Sequence, residues 1–404
     1  MSAPKQKLVV VGSGMAATRT IEHLLTIAPD RYQISIYGAE PHPNYNRILL
    51  SPVLAGEMAM GDIVLNDRDW YRQRGIRLHT GVKIAAIDRV RREVVTASGE
   101  REHYHRLLLA TGSTPFRLPV PGIDLDGVIT YRDIADTEAM IAAAANGRRA
   151  VVIGGGLLGL EAANGLRARG MQVTVLHVMP WLMERQLDPA AAQLLQQSLE
   201  ARGIDFMLQA QTAELAGSDG RVRGVKLKSG ELLEADLVVM AVGIRPNVAL
   251  AEAAGLQVRR GIVVDDTMQT FDPRIYAVGE CVAHRGVGYG LVAPLYEMAK
   301  VAAAHLAHAG ITYYAGSVVS TKLKVTGIDL FSAGEFMGGE GCEEVVLRDR
   351  KRQIYKKLVL RNDKLVGGVL VGDTAHSTRY LEMIRTGADV RPIRHELMFL
   401  RDAA

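Results

Sequence analysis

At 404 residues, 48% hydrophobic and 23% charged, the chain has the composition of an ordinary soluble globular enzyme and the length for two or three domains. A net charge of +4 with no long Lys/Arg block argues against nucleic acid or an anionic membrane as partner. Its two cysteines, Cys281 and Cys342, are far apart and form no C-x-x-C, which excludes a disulfide framework and a Cys-ligated iron-sulfur or zinc site within one chain.

In chain order, "MSAPKQKLVVVGSG" enters an apolar strand too short for a signal peptide's apolar region and turns at once into a glycine loop. No apolar run approaches the roughly 20 residues that span a bilayer, so a cytoplasmic location is expected. The stretch Lys7 to Leu25 then reads as strand, glycine turn and amphipathic helix, followed by the strand "YQISIYG". The same device recurs at Arg149 to Gly170, followed by "MQVTVLH". Two βαβ units in one chain predict two Rossmann-like dinucleotide-binding domains of α/β class.

The residue types of each turn have a physical reason. Gly12 and Gly154 permit the tight turn, Gly14 and Gly156 let the backbone approach a pyrophosphate, and Ala17 and Gly159 let the helix pack on its strand. The pyrophosphate would sit on the unpaired N–H groups at the helix amino terminus. A strand ending in small residues follows each unit: "LLLATGSTP" after the first, with Ala110, Thr111 and Gly112, and "LVVMAVGIRPN" after the second, with Gly243.

Between the halves, the Pro- and Gly-rich Ser113 to Gly127 reads as a crossover. "DPRIYAVGECVAHRG" predicts another strand and glycine turn, and "GLVAPLYEMAKVAAAHLAHAG" a helix with Pro294 near its first turn. From about Gly316 the pattern changes to alternating strands and then a helix from about Ser377 to Thr386, a separate α+β domain. The basic run Arg348 to Lys357 within it reads as a solvated hairpin tip or as a dock for an acidic redox partner.

The order of these motifs resembles that of FAD-dependent pyridine-nucleotide reductases. More narrowly, "PNYNRILLSPVLAGE", "LMERQLD", "YAVGECVAHRGVGYGLVAPLYEMAK" and "STKLKVTGIDLFSAGEF" resemble the flavoprotein module of the NAD(P)H-dependent nitrite reductase large subunit, with rubredoxin and ferredoxin reductases more distant. The resemblance implies an FAD-binding domain of residues 1–115 and 245–315, an NAD(P)H-binding domain of 116–244, and a C-terminal α+β interface domain of 316–404. It implies that FAD is held by Gly12, Gly14, Ala17, Ala110, Thr111 and Gly112, with Glu40 at the adenosine ribose and Arg47 near the flavin. Gly279 and Glu280 would meet the ribityl chain, while Pro294 and Leu295 would open a helix facing the flavin pyrimidine. The nicotinamide nucleotide would meet Gly154, Gly156, Gly159 and Gly243, with Glu161 close to the nicotinamide as the one side chain with a possible catalytic role. His177 stands where many NADH enzymes have a ribose-binding Glu; with no adjacent Arg or Lys and only Arg185 within reach of a 2′-phosphate, NADH is the expected donor and NADPH the alternative.

Enzymes of this fold that reduce disulfides, peroxides or oxygen to water carry a cysteine beside the flavin. The corresponding "HPNYNRILLSP" offers Arg47 and Ser51 instead, and Pro52 replaces the Lys of ferredoxin reductases. The electrons are therefore expected to leave for an external acceptor, a nitrate or nitrite reductase component or a small iron-sulfur protein. Because the sirohaem and iron-sulfur parts of the resembled enzyme are not in this sequence, the chain alone is not expected to reduce nitrite. A rubredoxin or ferredoxin reductase, and a non-catalytic NADH-sensing flavoprotein, stay open as alternatives.

Overall fold

The computed structural model describes residues 5–310, 312–325 and 327–400. They form two compact units, each gathered from separate stretches. One holds the chain through Leu49, Ala59–Thr114 and Ile244–Ser317; the other holds Leu50–Met58, Pro115–Gly243 and the chain from Val318 onward.

The first unit is built on a five-stranded sheet in the spatial order Ile275–Ala277, Arg106–Leu109, Gln6–Val11, Tyr32–Gly38, Arg77–Thr80. All neighbours run parallel. Its inner strands are continuous apolar runs because helices cover a parallel sheet and leave it no wet face; Leu8, Val9, Val10, Leu107, Leu108 and Leu109 are all fully buried. The helix Met15–Ile27 buries Ala17, Ile21 and Leu24, a stripe at helical spacing. It packs against the helix Val292–Ala307, and Tyr32 Oη donates 2.9 Å to the Leu306 carbonyl to fix that second helix to the sheet.

The second unit repeats the plan: Ile204–Leu208, Gln172–His177, Arg149–Ile153, Leu237–Met240, Val128–Thr130, again all parallel. The edge strand Val128–Thr130 comes directly after the Pro/Gly-rich crossover. The short helix Leu50–Ala55 belongs here too: a Cβ at Gly165 would lie 2.5 Å from Leu54 Cγ, and Arg169 Nη2 donates 3.0 Å to the Val53 carbonyl. The stretch His42–Pro52 is thus divided between the units at Leu49/Leu50.

The C-terminal part of the second unit is an antiparallel sheet in the order Ser320–Val325, Ile328–Gly334, Lys364–Val371, Ile354–Arg361, Glu343–Asp349, with the helix Ser377–Thr386. It has its own core of Phe331, Leu358, Leu370, Tyr380 and Leu397. The basic run divides: residues 350–353 form an exposed tip, whereas Lys356 and Lys357 are each only 5% exposed. Lys356 Nζ pairs with Asp373 at 2.6 Å, and Lys357 Nζ with Glu344 at 2.9 Å and Asp188 at 3.8 Å. Reading the whole run as a solvated tip or a dock is therefore corrected for these two lysines. A buried charge is tolerated when it is paired, and periodicity alone does not reveal the partners. Asp188 also caps the helix Pro189–Glu200 through the Ala191 N–H and accepts 2.6 Å from Tyr355 Oη. Among the described residues no helix is long and apolar enough to cross a membrane.

Candidate functional site

In the first unit the glycine turn joins the central strand to its helix. Gly12 has φ +109°, and a Cβ there would lie 2.1 Å from the Ala110 carbonyl oxygen, so conformation and space both demand glycine. Gly14 is the extended N-cap of the helix Met15–Ile27, with no capping side chain and open space where a Cβ would stand. Ala17 is fully buried under the helix. This combination of open backbone, free N–H groups and the positive end of a helix dipole fits a dinucleotide pyrophosphate.

Other expected residues collect on the same sheet edge. Gly112 has φ +64° and open space above it. Thr111 and Asn247 lock the two neighbouring chain segments together, Thr111 Oγ1 donating 2.7 Å to the Asn247 carbonyl and Asn247 Nδ2 returning 2.9 Å to the Thr111 carbonyl. Gly279 has φ +90°, and a Cβ there would lie 3.1 Å from the Ala16 Cβ. Glu280 accepts 2.8 Å from Ser113 Oγ. Glu40 and Arg47, expected at opposite ends of the cofactor, form an ion pair with each other, and Tyr45 Oη donates 2.6 Å to Glu40. Pro294 and Leu295 are buried in the first turn of the helix Val292–Ala307, whose N-cap Leu291 supplies no side-chain cap. Cys281 is fully buried with Sγ 3.3 Å from the Val278 carbonyl, and burial raises its pKa.

The second unit has the matching turn. Gly154 has φ +122° and would place a Cβ 2.3 Å from the Ala241 carbonyl oxygen; Gly156 is an extended N-cap in open space; a Cβ at Gly159 would fall 1.9 Å from the Gly154 carbonyl oxygen. Gly243, at φ +110°, is open as well. This turn fits a second dinucleotide for the same reasons as the first.

Glu161 follows one helical turn later. It accepts 2.7 Å from Ser51 Oγ, and Ser51 lies 3.0 Å from the hydroxyl of the fully buried Tyr131. With hydroxyls as neighbours and burial as the dominant influence, its pKa rises from 4.5 to about 7. Near neutral pH this carboxyl can therefore hold or release a proton. The Ser51–Tyr131–Glu161 cluster was not legible from spacing, since its members come from three distant segments; the serine in place of a cysteine was its one trace.

His177 closes the strand Gln172–His177. Its Nδ1 accepts 3.1 Å from the Gly155 N–H, which puts the proton on Nε2, and Nε2 lies 3.1 Å from Glu184 Oε2. The imidazole therefore faces inward, and Glu184 was absent from the sequence-derived site.

A family model described as pyridine nucleotide-disulphide oxidoreductase matches residues 6–310, and one described as the rubredoxin NAD+ reductase C-terminal domain matches 320–388. The chain is 53% identical over 386 residues to a nitrite reductase [NAD(P)H] of Bacillus subtilis, covering 96% of this chain and 48% of that one. It is 45% identical over 394 residues to the assimilatory nitrate reductase electron transfer subunit of Bacillus subtilis, covering 98% and 51%. It thus spans about half the length of these relatives. The crystal structure of the covalent putidaredoxin reductase-putidaredoxin complex aligns with a TM-score of 0.88 at 28% identity, covering 96% of this chain and 95% of that one. The twin glycine turns and the match across both units make this chain a member of the pyridine nucleotide-disulphide oxidoreductase family, an FAD-dependent NAD(P)H oxidoreductase.

Proposed function

We propose that this chain is a cytoplasmic electron-transfer module that draws on NADH, works through FAD, and delivers to an external redox protein, a component of a nitrate or nitrite reductase. The observation that carries the reading is the pair of open glycine cradles, each at an uncapped helix amino terminus. FAD held there would supply hydride-accepting chemistry and one- or two-electron transfer. Residues 1–115 and 245–315 hold it, with Gly12, Gly14 and Ala17 at the pyrophosphate, Glu40 and Arg47 beside one another, and Ala110, Thr111, Gly112, Gly279, Glu280, Pro294 and Leu295 along the rest. Residues 116–244 take the nicotinamide nucleotide on Gly154, Gly156, Gly159 and Gly243, with Glu161 close to the nicotinamide. Residues 316–404 form the interface domain. The enclosed Cys281 favours an acceptor outside the chain, and the similarity to a nitrate reductase electron transfer subunit supports the acceptor class.

The second reading, a rubredoxin reductase, is favoured by the match of residues 320–388 to the C-terminal domain of such enzymes. The deciding experiment is an anaerobic NADH titration of the purified flavoprotein followed by transfer rates to nitrate reductase, nitrite reductase and rubredoxin. Fast, salt-sensitive transfer to a nitrate or nitrite component supports the first reading. Fast transfer only to rubredoxin replaces it. A flavin that NADH does not bleach overturns both.

A further inference from the structure

The turn Trp181–Leu187 is fastened to the second glycine turn more firmly than a connecting loop requires. Leu182, Met183 and Leu187 are buried. Met183 N–H donates 3.0 Å to the Gly155 carbonyl, while the Gly155 N–H goes to His177 Nδ1, so both polar groups of Gly155 are spent on holding this segment and the imidazole. A Cβ at Gly155 would lie 2.7 Å from His177 Cγ and 2.7 Å from Leu182 Cδ2, which explains the middle glycine by packing rather than by a cofactor. Trp181 Nε1 donates 3.0 Å to the Leu187 carbonyl and closes the turn. Met183, a buried side chain at φ +52°, is held in the left-handed region, a conformation that costs free energy and persists where the surroundings enforce it.

What this arrangement fixes is Glu184. Its carboxylate, 25% exposed, stands on the Nε2–H of His177 at the carboxyl end of the strand that follows the glycine turn. In dinucleotide-binding βαβ units the acid that accepts the ribose hydroxyls of the adenosine half stands at that strand end, and here the strand itself supplies only the imidazole. We propose that Glu184, positioned by His177, is the acceptor for the vicinal diol of the adenosine ribose and the residue that selects NADH over NADPH. An anionic carboxylate accepts two hydroxyl donors and repels a 2′-phosphate. The neighbouring Arg185 is 86% exposed and 4.0 Å from Glu184, too loosely paired to neutralise it. The inference rests on the assignment of the second unit to the nicotinamide nucleotide.

The test is calorimetric binding of NAD+ and NADP+ to the oxidised FAD-loaded protein, which needs no turnover. Glu184→Gln is expected to weaken NAD+ about tenfold, the loss of a charge-assisted bond, and to leave NADP+ unchanged or tighter. His177→Phe keeps the ring that fills the space above Gly155 and removes the Nε2–H; it is expected to shift the NAD+/NADP+ ratio the same way by a smaller factor. The double variant should match Glu184→Gln alone, because the histidine acts through the carboxylate. An unchanged ratio in Glu184→Gln, with FAD content and melting temperature retained, overturns the inference, as do fully additive effects. Wild-type protein that binds neither nucleotide overturns instead the assignment of the second unit.

Discussion

The two glycine turns solve one steric problem in opposite ways. In the first unit the middle residue of the turn is Ser13, and the following strand ends in Gly38, where a Cβ would lie 2.3 Å from Ser13 Oγ. In the second unit the middle residue is Gly155, and the strand ends in His177, which fills the same register position: Val11 pairs with Tyr37 and Ile153 with Leu176, one residue before each. One side chain fits above the turn: the first copy carries it on the turn itself, at Ser13, and the second on the strand end, at His177. The repeat thus conserves the space while freeing one strand end to carry an imidazole. The acids differ in parallel: Glu40 is tied to Arg47, whereas Glu161 meets only hydroxyls among the partners described.

The largest effect that would break the comparison comes from blocking one cradle at a time. Gly14 and Gly156 have extended backbones and open space, so valine is sterically allowed at both and the fold is retained. Gly14→Val is expected to yield colourless protein. Gly156→Val is expected to keep FAD but lose bleaching by NADH. Visible spectra before and after anaerobic NADH report both, and the same phenotype from both variants would show that the turns do not hold separate nucleotides.

A second effect tests the reciprocal packing. Gly155→Ser introduces the Cβ that meets His177 and Leu182, and is expected to cost about 2 kcal/mol by thermal melting. Adding His177→Gly recreates the Ser13/Gly38 arrangement and should recover most of that loss. No recovery would mean that Leu182, not the imidazole, sets the limit.

A third effect concerns Glu161. Because the folded pKa of Glu161, about 7, lies above its ordinary 4.5, the folded protein keeps a proton that the unfolded chain has released between those values. The stabilisation from this group is therefore complete below pH 4.5 and is lost as pH rises through 7, a change on the order of 3 kcal/mol. Denaturant midpoints of wild type and Glu161→Gln across that window should diverge with this sign; parallel curves would indicate that the carboxyl is ionised throughout.

Much of this architecture was legible in the residues because its causes are local. The positive-φ glycines, the buried β-branched runs and the amphipathic helix after each turn announce two parallel α/β sheets, and the terminal helix Ser377–Thr386 starts and ends where its pattern does. What escaped depends on distance in the chain. Val128–Thr130 is three residues long and joins its sheet only because Leu237–Met240 offers an edge. Leu50–Ala55 reads as a continuation of the first unit until Leu54 finds the notch at Gly165. Ser51, Tyr131 and Glu161 carry no shared spacing, and Glu184 is revealed only by the direction in which His177 points.

The buried node at Asp188 bears on how the terminal sheet can be treated. One carboxylate starts the helix Pro189–Glu200, receives the Tyr355 hydroxyl and lies beside Lys357. A chain cut before Val318 would leave that helix with its cap but strip the carboxylate of its phenol and ammonium, exposing to water a surface shaped to meet a protein wall. The terminal segment is therefore not a detachable cassette that can be exchanged between reductases to redirect them, unless the incoming segment brings its own tyrosine and lysine to face Asp188.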